Sequence, residues 1–158
     1  MPPPLLFDVQ GVDLRRECLS AARLYELLPQ RHEFSLLGGA CHVDVEQREM
    51  VAYADVRMDD WWVRGHVPGR PLLPGVLMLE MAAQSAGALA KLVGAAEGFI
   101  GFGGVEDCKF RDAVVPPARL HILCKGVDYR PRRIVCDTQG VIDGRLIFEA
   151  RIVGVTMK

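Results

Sequence analysis

The sequence predicts an α+β fold in which an antiparallel sheet wraps around one long apolar helix. Three observations carry this. The run from Pro74 to Val93 has the length and composition of one buried helix. Two segments before it and four after it alternate in the manner of strands. The dipeptide Asp143-Gly144, between the last two segments, is a strong hairpin signal.

The elements follow in order. Residues 1–18 form an N-terminal extension of weak pattern, and the whole chain, 1–158, reads as a single domain. Leu19 to Leu28 is a short helix stopped by Pro29. Cys41 to Glu46 alternates as a strand, Gln47-Arg48 turns the chain, and Glu49 to Met58 is a second strand. Trp61-Trp62-Val63 then leads into a stiff loop that holds His66 and is restricted by Pro68, Pro71 and Pro74. Pro74 suits the first turn of a helix, where a missing N–H costs little. Gly94 suits the stop, and Lys91 favours the negative end of the dipole. Ala82, Ala83, Ser85, Ala86, Gly87, Ala88 and Ala90 crowd the second half of this helix. Such small side chains let neighbouring backbone approach closely, as an enclosing curved sheet requires. The late strands are Phe99–Phe110, Arg119–Tyr129, Ile134–Ile142 and Arg145–Thr156, with a turn at Arg130-Pro131-Arg132-Arg133.

Composition narrows the function classes. Half the residues are apolar and a quarter are charged, which predicts a packed globular core. A formal net charge of −1 carries no nucleic-acid signature. The five cysteines show no paired spacing, which predicts reduced, mostly buried thiols in a cytoplasmic protein and no zinc site. Met1 to Leu6 is proline-rich without a basic flank, unlike a signal peptide. Leu72 to Ala90 is apolar enough to raise the question of a membrane span, but Glu80, Gln84 and Ser85 argue for a buried helix instead. His32, His42 and His121 lack a clustered second ligand, so no metal is expected. Trp61 and Trp62 read as core or interface aromatics.

The chemistry concentrates between His66 and Glu80. An imidazole and a carboxyl on rigid supports can divide base and acid duties in proton transfer. An apolar setting favours the protonated carboxylic acid. Each residue also has a bland reading: His66 as a hydrogen-bonded loop residue, Glu80 as the partner of Arg64 or Arg70 in an ion pair. Gln84 lies one turn beyond Glu80 on the same face and could hold its carboxyl. Glu80 stands about 9 Å along the axis from the start of the helix, a reach suited to one small substrate.

The segment Gly65-His66-Val67-Pro68-Gly69-Arg70-Pro71-Leu72-Leu73-Pro74-Gly75-Val76, followed by Leu79-Glu80-Met81-Ala82-Ala83-Gln84, resembles the signature of the FabZ class of 3-hydroxyacyl-[acyl-carrier-protein] dehydratases. Leu28-Pro29-Gln30-Arg31 and Phe110-Arg111-Asp112-Ala113-Val114-Val115-Pro116 resemble two further family motifs. Val67 stands where the family carries Phe, His32-Glu33-Phe34 where it carries Tyr-Pro-Phe, and Pro117-Ala118 where it commonly carries Gly-Asp. The resemblance implies a hotdog fold and the dehydration of 3-hydroxyacyl to trans-2-enoyl thioesters in type II fatty acid synthesis. It further implies His66 as base, Glu80 as acid and the Gly75 or Val76 amide as the thioester carbonyl's donor, without a cofactor. The implied partners are an acyl carrier protein and a second copy of the chain, in a homodimer or a hexamer built as a trimer of dimers, with His66 and Glu80 contributed by different subunits.

Acyl carrier proteins are acidic, so Lys109 with Arg111, and Arg130 with Arg132 and Arg133, are candidate docking cations, or else solvated turns. A dehydratase-isomerase, a thioesterase and a non-catalytic acyl-binding subunit are the alternatives on the same fold. The isomerase class typically carries Asp where Glu80 stands, and thioesterases generally lack the Gly-His-x-Pro loop.

Overall fold

A computed structural model describes residues 1–157. Seven antiparallel strands form one sheet: β1 (Leu19–Ser20), β2 (Gly39–Asp44), β3 (Glu49–Val56), β4 (Phe99–Phe110), β5 (Ala118–Arg130), β6 (Arg133–Ile142) and β7 (Arg145–Met157). Their order across the sheet is β1-β2-β3-β5-β6-β7-β4. Three α-helices accompany them: α1 (Ala21–Leu27), α2 (Val63–His66) and α3 (Gly75–Leu92).

The sheet curls around α3 because that helix is apolar on nearly every side. Ala82, Ala88, Leu89 and Ala90 are fully buried, and so is the hydroxyl-bearing Ser85. Ser85 satisfies its hydroxyl by donating to the Met81 carbonyl at 2.9 Å, one turn back on the same helix. Pro74 stands at the N-cap and Val93 at the C-cap, so the helix lies within the expected 74–93. Gly94 adopts φ +74°, and the Ala95 amide reaches back to the Ala90 carbonyl at 2.8 Å. That αL residue with its backward bond is how a glycine ends a helix. Among the described residues no helix is long and apolar enough to cross a membrane.

The β6–β7 hairpin turns on Asp143 and Gly144, both at positive φ, as a two-residue type I′ turn requires. The main core lies between the sheet and α3, with Leu24, Met50, Leu120, Ile122, Ile147 and Phe148 among its members. A second cluster forms on the outer side of the sheet. Val51, Leu123, Val141 and Leu146 are covered there by Leu5, Leu6, Phe7, Val9 and Leu14 of the N-terminal extension. Gln139 pins this strap by accepting from the Leu6 amide at 2.9 Å and donating to the Pro4 carbonyl at 3.0 Å.

Three sequence expectations need correction. The first helix is shorter than Leu19–Leu28, because Leu19 and Ser20 pair with β2 and Ser20 caps α1. His66 does not sit within the Pro/Gly loop; it ends α2, and the loop follows it. The early strands are shifted, β2 running Gly39–Asp44 in place of Cys41–Glu46 and β3 ending at Val56 in place of Met58. Of the two tryptophans, Trp62 is buried in the core and Trp61 is half-exposed. Three of the five cysteines are buried, all five are free, and Cys18 is exposed.

Candidate active site

His66 is positioned from both sides. Its backbone amide donates to the Trp62 carbonyl at 2.9 Å, and Trp62 is anchored in the core. Downstream, the chain turns at Pro68-Gly69 with Gly69 at φ +80°, closed by Arg70 N–H donating to the Val67 carbonyl at 2.9 Å. Leu73 then docks through its amide onto the Val114 carbonyl at 2.9 Å. This path brings the Leu72 carbonyl to 2.7 Å from Nδ1 of His66. A carbonyl only accepts, so Nδ1 carries the hydrogen of this bond. In the neutral ring, Nε2 is left with its lone pair, which is the state a general base needs. The imidazole itself is exposed.

Glu80 is half-buried on α3 and lines a cavity of about 60 Å³ beside that helix. Leu28, Ala83, Gly87, Ile100 and Phe102 form much of its apolar wall. Lys91 is the one other charged residue there. Glu80 makes no ion pair among the described residues, so Arg64 and Arg70 do not hold it. Its carboxylate Oε1 instead accepts from Nε2 of Gln84 at 3.0 Å.

Gln84 is 1% exposed and fully engaged. Nε2 also donates to the Phe34 carbonyl at 2.8 Å, and Oε1 accepts from the Tyr25 hydroxyl at 2.7 Å. The Tyr25 oxygen in turn accepts from the Leu37 amide at 2.8 Å. Burial is the main cause that pushes the Tyr25 hydroxyl up to about 12, with the nearby Glu80 charge adding to it. Gln84 stands out in the sequence one turn beyond Glu80, whereas Tyr25 does not. Its place beside Leu24 on the buried face of α1 was the available signal, because a buried phenol must find a polar partner.

At the start of α3, Leu77 and Met78 donate to the Pro74 carbonyl at 3.0 and 3.3 Å. The preceding amides of Gly75 and Val76 belong to the group that a helix leaves without intrahelical partners. Val76 as a residue is 72% exposed. A Cβ at Gly75 would come within 3.0–3.3 Å of the Phe110 ring, so glycine there lets β4 approach the helix start.

Within one chain the structure brings Glu80 and Gln84 together, and among the described residues His66 shares no hydrogen bond or ion pair with either. His66 is not among the residues that line the Glu80 cavity. Its bonded neighbour Leu72 lines a separate shallow pocket with Gly75, Met78 and Phe110. Among the suggested docking cations, Arg130 and Arg133 both face Asp128, at 2.9 and 3.9 Å, and Arg111 is paired with Glu149 at 2.9 Å. Their charge is thereby partly offset.

Comparison with known proteins places the chain in a family. The family described as "FabA-like domain" matches residues 28–151. The 3-hydroxyacyl-[acyl-carrier-protein] dehydratase FabZ of Mannheimia succiniciproducens is 34% identical over 139 residues, covering 85% of this chain and 90% of its own. FabZ of Protochlamydia amoebophila is 29% identical over 136 residues, covering 86% and 88%. Among solved structures, a chain of the dehydratase heterocomplex ApeI:P from Xenorhabdus doucetiae superposes with a TM-score of 0.72 at 16% identity, covering 85% of this chain and 91% of that one. At that identity the likeness speaks for the fold alone. A curved antiparallel sheet around a single long helix, together with these matches, shows that the chain belongs to the FabA-like family, within its FabZ class of hotdog-fold hydro-lyases.

Proposed function

We propose that this protein dehydrates 3-hydroxyacyl groups carried on acyl carrier protein to trans-2-enoyl groups, in type II fatty acid synthesis in the cytoplasm. The chain works as a single hotdog unit, with residues 1–18 as an extension. His66 Nε2 takes the proton from C2. The C2–H electrons form the C2–C3 double bond as the C3–O bond breaks. Glu80 gives its proton to the departing hydroxyl, which leaves as water. A proton passing from the imidazolium to the carboxylate restores both groups. The Gly75 or Val76 amide, at the positive end of α3, donates to the thioester carbonyl and stabilises the charge that builds on it. Each proton-transfer group contributes about 10²–10⁴-fold.

The observation that carries this reading is the His66–Leu72 bond, which leaves Nε2 free as a base in a segment matching the FabZ signature. That His66 does not line the Glu80 cavity of its own chain supports an acting pair drawn from two subunits of a homodimer. The edge strand β4 supports such pairing. It is twelve residues long and exposes Phe99, Phe102, Val105 and Phe110.

The test is turnover of carrier-bound 3-hydroxyacyl chains of graded length. The enoyl thioester is the expected product, and His66→Ala should abolish its formation while leaving the circular dichroism spectrum intact. A free acid would point to a thioesterase and a cis-3-enoyl product to an isomerase. Acyl binding without turnover at every length would point to a non-catalytic subunit.

A further inference from the structure

We propose that Tyr25 is a positioning residue for the acid: its hydroxyl fixes which way the Gln84 amide faces, so that Gln84 always presents N–H to Glu80. This deepens the dehydratase reading and rests on it.

Two backbone groups here have a polarity that cannot change. The Leu37 amide can only donate, and it donates to the Tyr25 oxygen. The Tyr25 hydrogen is therefore free to point onward, and it points at Gln84 Oε1, 2.7 Å away. At the other end the Phe34 carbonyl can only accept, and it takes one hydrogen of Gln84 Nε2. The two ends agree, and together they leave the second Nε2 hydrogen aimed at Glu80 Oε1. A side-chain amide on its own can turn over and exchange its oxygen for its nitrogen. Here a turned amide would set a carbonyl against the Phe34 carbonyl and an NH₂ against a hydroxyl committed to donating.

For Glu80 this direction has a chemical meaning. With Oε1 held as an acceptor, the carboxylic proton resides on the other oxygen, which is not engaged by Gln84. A turned amide would invite the acid to spend its proton on Gln84 Oε1 instead of on the leaving hydroxyl. Tyr25 does not itself transfer the proton. Its own hydrogen and its lone pair toward Leu37 are both committed. Elsewhere in the cavity β4, β6 and β7 contribute apolar side chains and glycine, and the remaining polar side chains are Lys91, its one other charge, and Gln30, whose buried Oε1 has no partner among the described residues and can only accept.

The experiment compares wild type, Tyr25→Phe, Gln84→Met and the double variant. In ¹H–¹⁵N spectra of the wild type, the Gln84 side-chain NH₂, assigned by its loss in Q84M, should give two separated and slowly exchanging hydrogens. Y25F should shift and broaden them. Its kcat should fall about tenfold, with KM little changed, because the loss touches proton delivery and not binding. The double variant should be no slower than Q84M alone, since Tyr25 acts through that amide.

Unchanged Gln84 signals and unchanged kcat in Y25F, with only a lowered Tm, would overturn the proposal and leave Tyr25 as a backbone clasp. Additive losses in the double variant would also overturn it. Should Y25F not fold, Q84M with Tyr25 intact decides: wild-type kcat would mean the amide's direction is immaterial. Absence of any turnover in the wild type would count against the dehydratase reading, while the NH₂ spectra would still judge the Tyr25–Gln84 link.

Discussion

Replacing Glu80 by glutamine separates proton donation from everything else the side chain does. The amide keeps a carbonyl where Oε1 now accepts from Gln84 at 3.0 Å. The structural bond therefore survives, and the stability change should stay below about 1 kcal/mol. What disappears is the transferable proton. Two other groups could in principle replace it, and the geometry disqualifies both. Lys91 lies eleven residues further along α3, about 16 Å by the helical rise. The Tyr25 hydroxyl, held up to about 12 by burial, already donates to Gln84. Turnover should therefore drop by about 10²–10⁴-fold, or about 2.7–5.5 kcal/mol of transition-state stabilisation. The assay is steady-state conversion of a carrier-bound 3-hydroxyacyl thioester, run beside a urea unfolding curve. Turnover within about threefold of wild type, with an unchanged unfolding midpoint, would refute the assignment of Glu80 as the acid.

Other expectations concern the scaffold. Gly140 on β6 lies opposite Phe148 on β7, and a Cβ there would collide with the Phe148 ring. That ring is fully buried and has nowhere to retreat, so Gly140→Ala should cost about 1–3 kcal/mol in urea unfolding. Deleting residues 1–16 would uncover Val51 and Leu123, now 0% and 2% exposed. Each fully re-exposed side chain costs up to about 1.5–3 kcal/mol, and an unfolding midpoint equal to wild type would show that the strap seals nothing. Alkaline pH should destabilise the fold. Burial raises Tyr25 to about 12, and the Glu17 carboxylate that accepts its hydrogen bond does the same for Tyr53. Both hydroxyls hold their protons more tightly folded than unfolded. Their stabilisation is complete below the ordinary value of 10 and is lost as pH climbs from there toward 12. A Tm series across that range should fall, and ultraviolet titration of the folded protein should show tyrosinate appearing late.

Most of the strand framework was legible in the sequence because alternation and turn chemistry are local. Phe99–Phe110 has the expected bounds, and the Asp143-Gly144 hairpin is where its φ preferences put it. The helix α3 was legible from composition and from Pro74 and Gly94 at its ends. Two short elements were not. A two-residue β1 has no period to detect, and α2 is a single turn of four residues, too short for a helical period to show. The extension read as patternless because its apolar residues form no repeating face; they lie as a strap on Val51 and Leu123.

At the site, the His66-to-Glu80 segment stood out at once, whereas the groups that orient it did not. Leu72 contributes only a carbonyl to His66, and Phe34 only a carbonyl to Gln84. No side-chain pattern reveals which backbone oxygen a folded loop will present. Tyr25 is 59 positions from Gln84, so their bond exists only once α1 has docked.

The two ends of the sheet are unequal, and this limits how copies can join. One end is β1, a stub of two residues; the other is β4, with twelve. A ribbon that grows sideways needs a long free margin at both ends. Here a second copy joined margin to margin through β4 would use up the long one on each partner and leave a stub at either extremity. Such a union closes on itself at two copies, which protects a protein with an apolar border from adding further copies into a fibre.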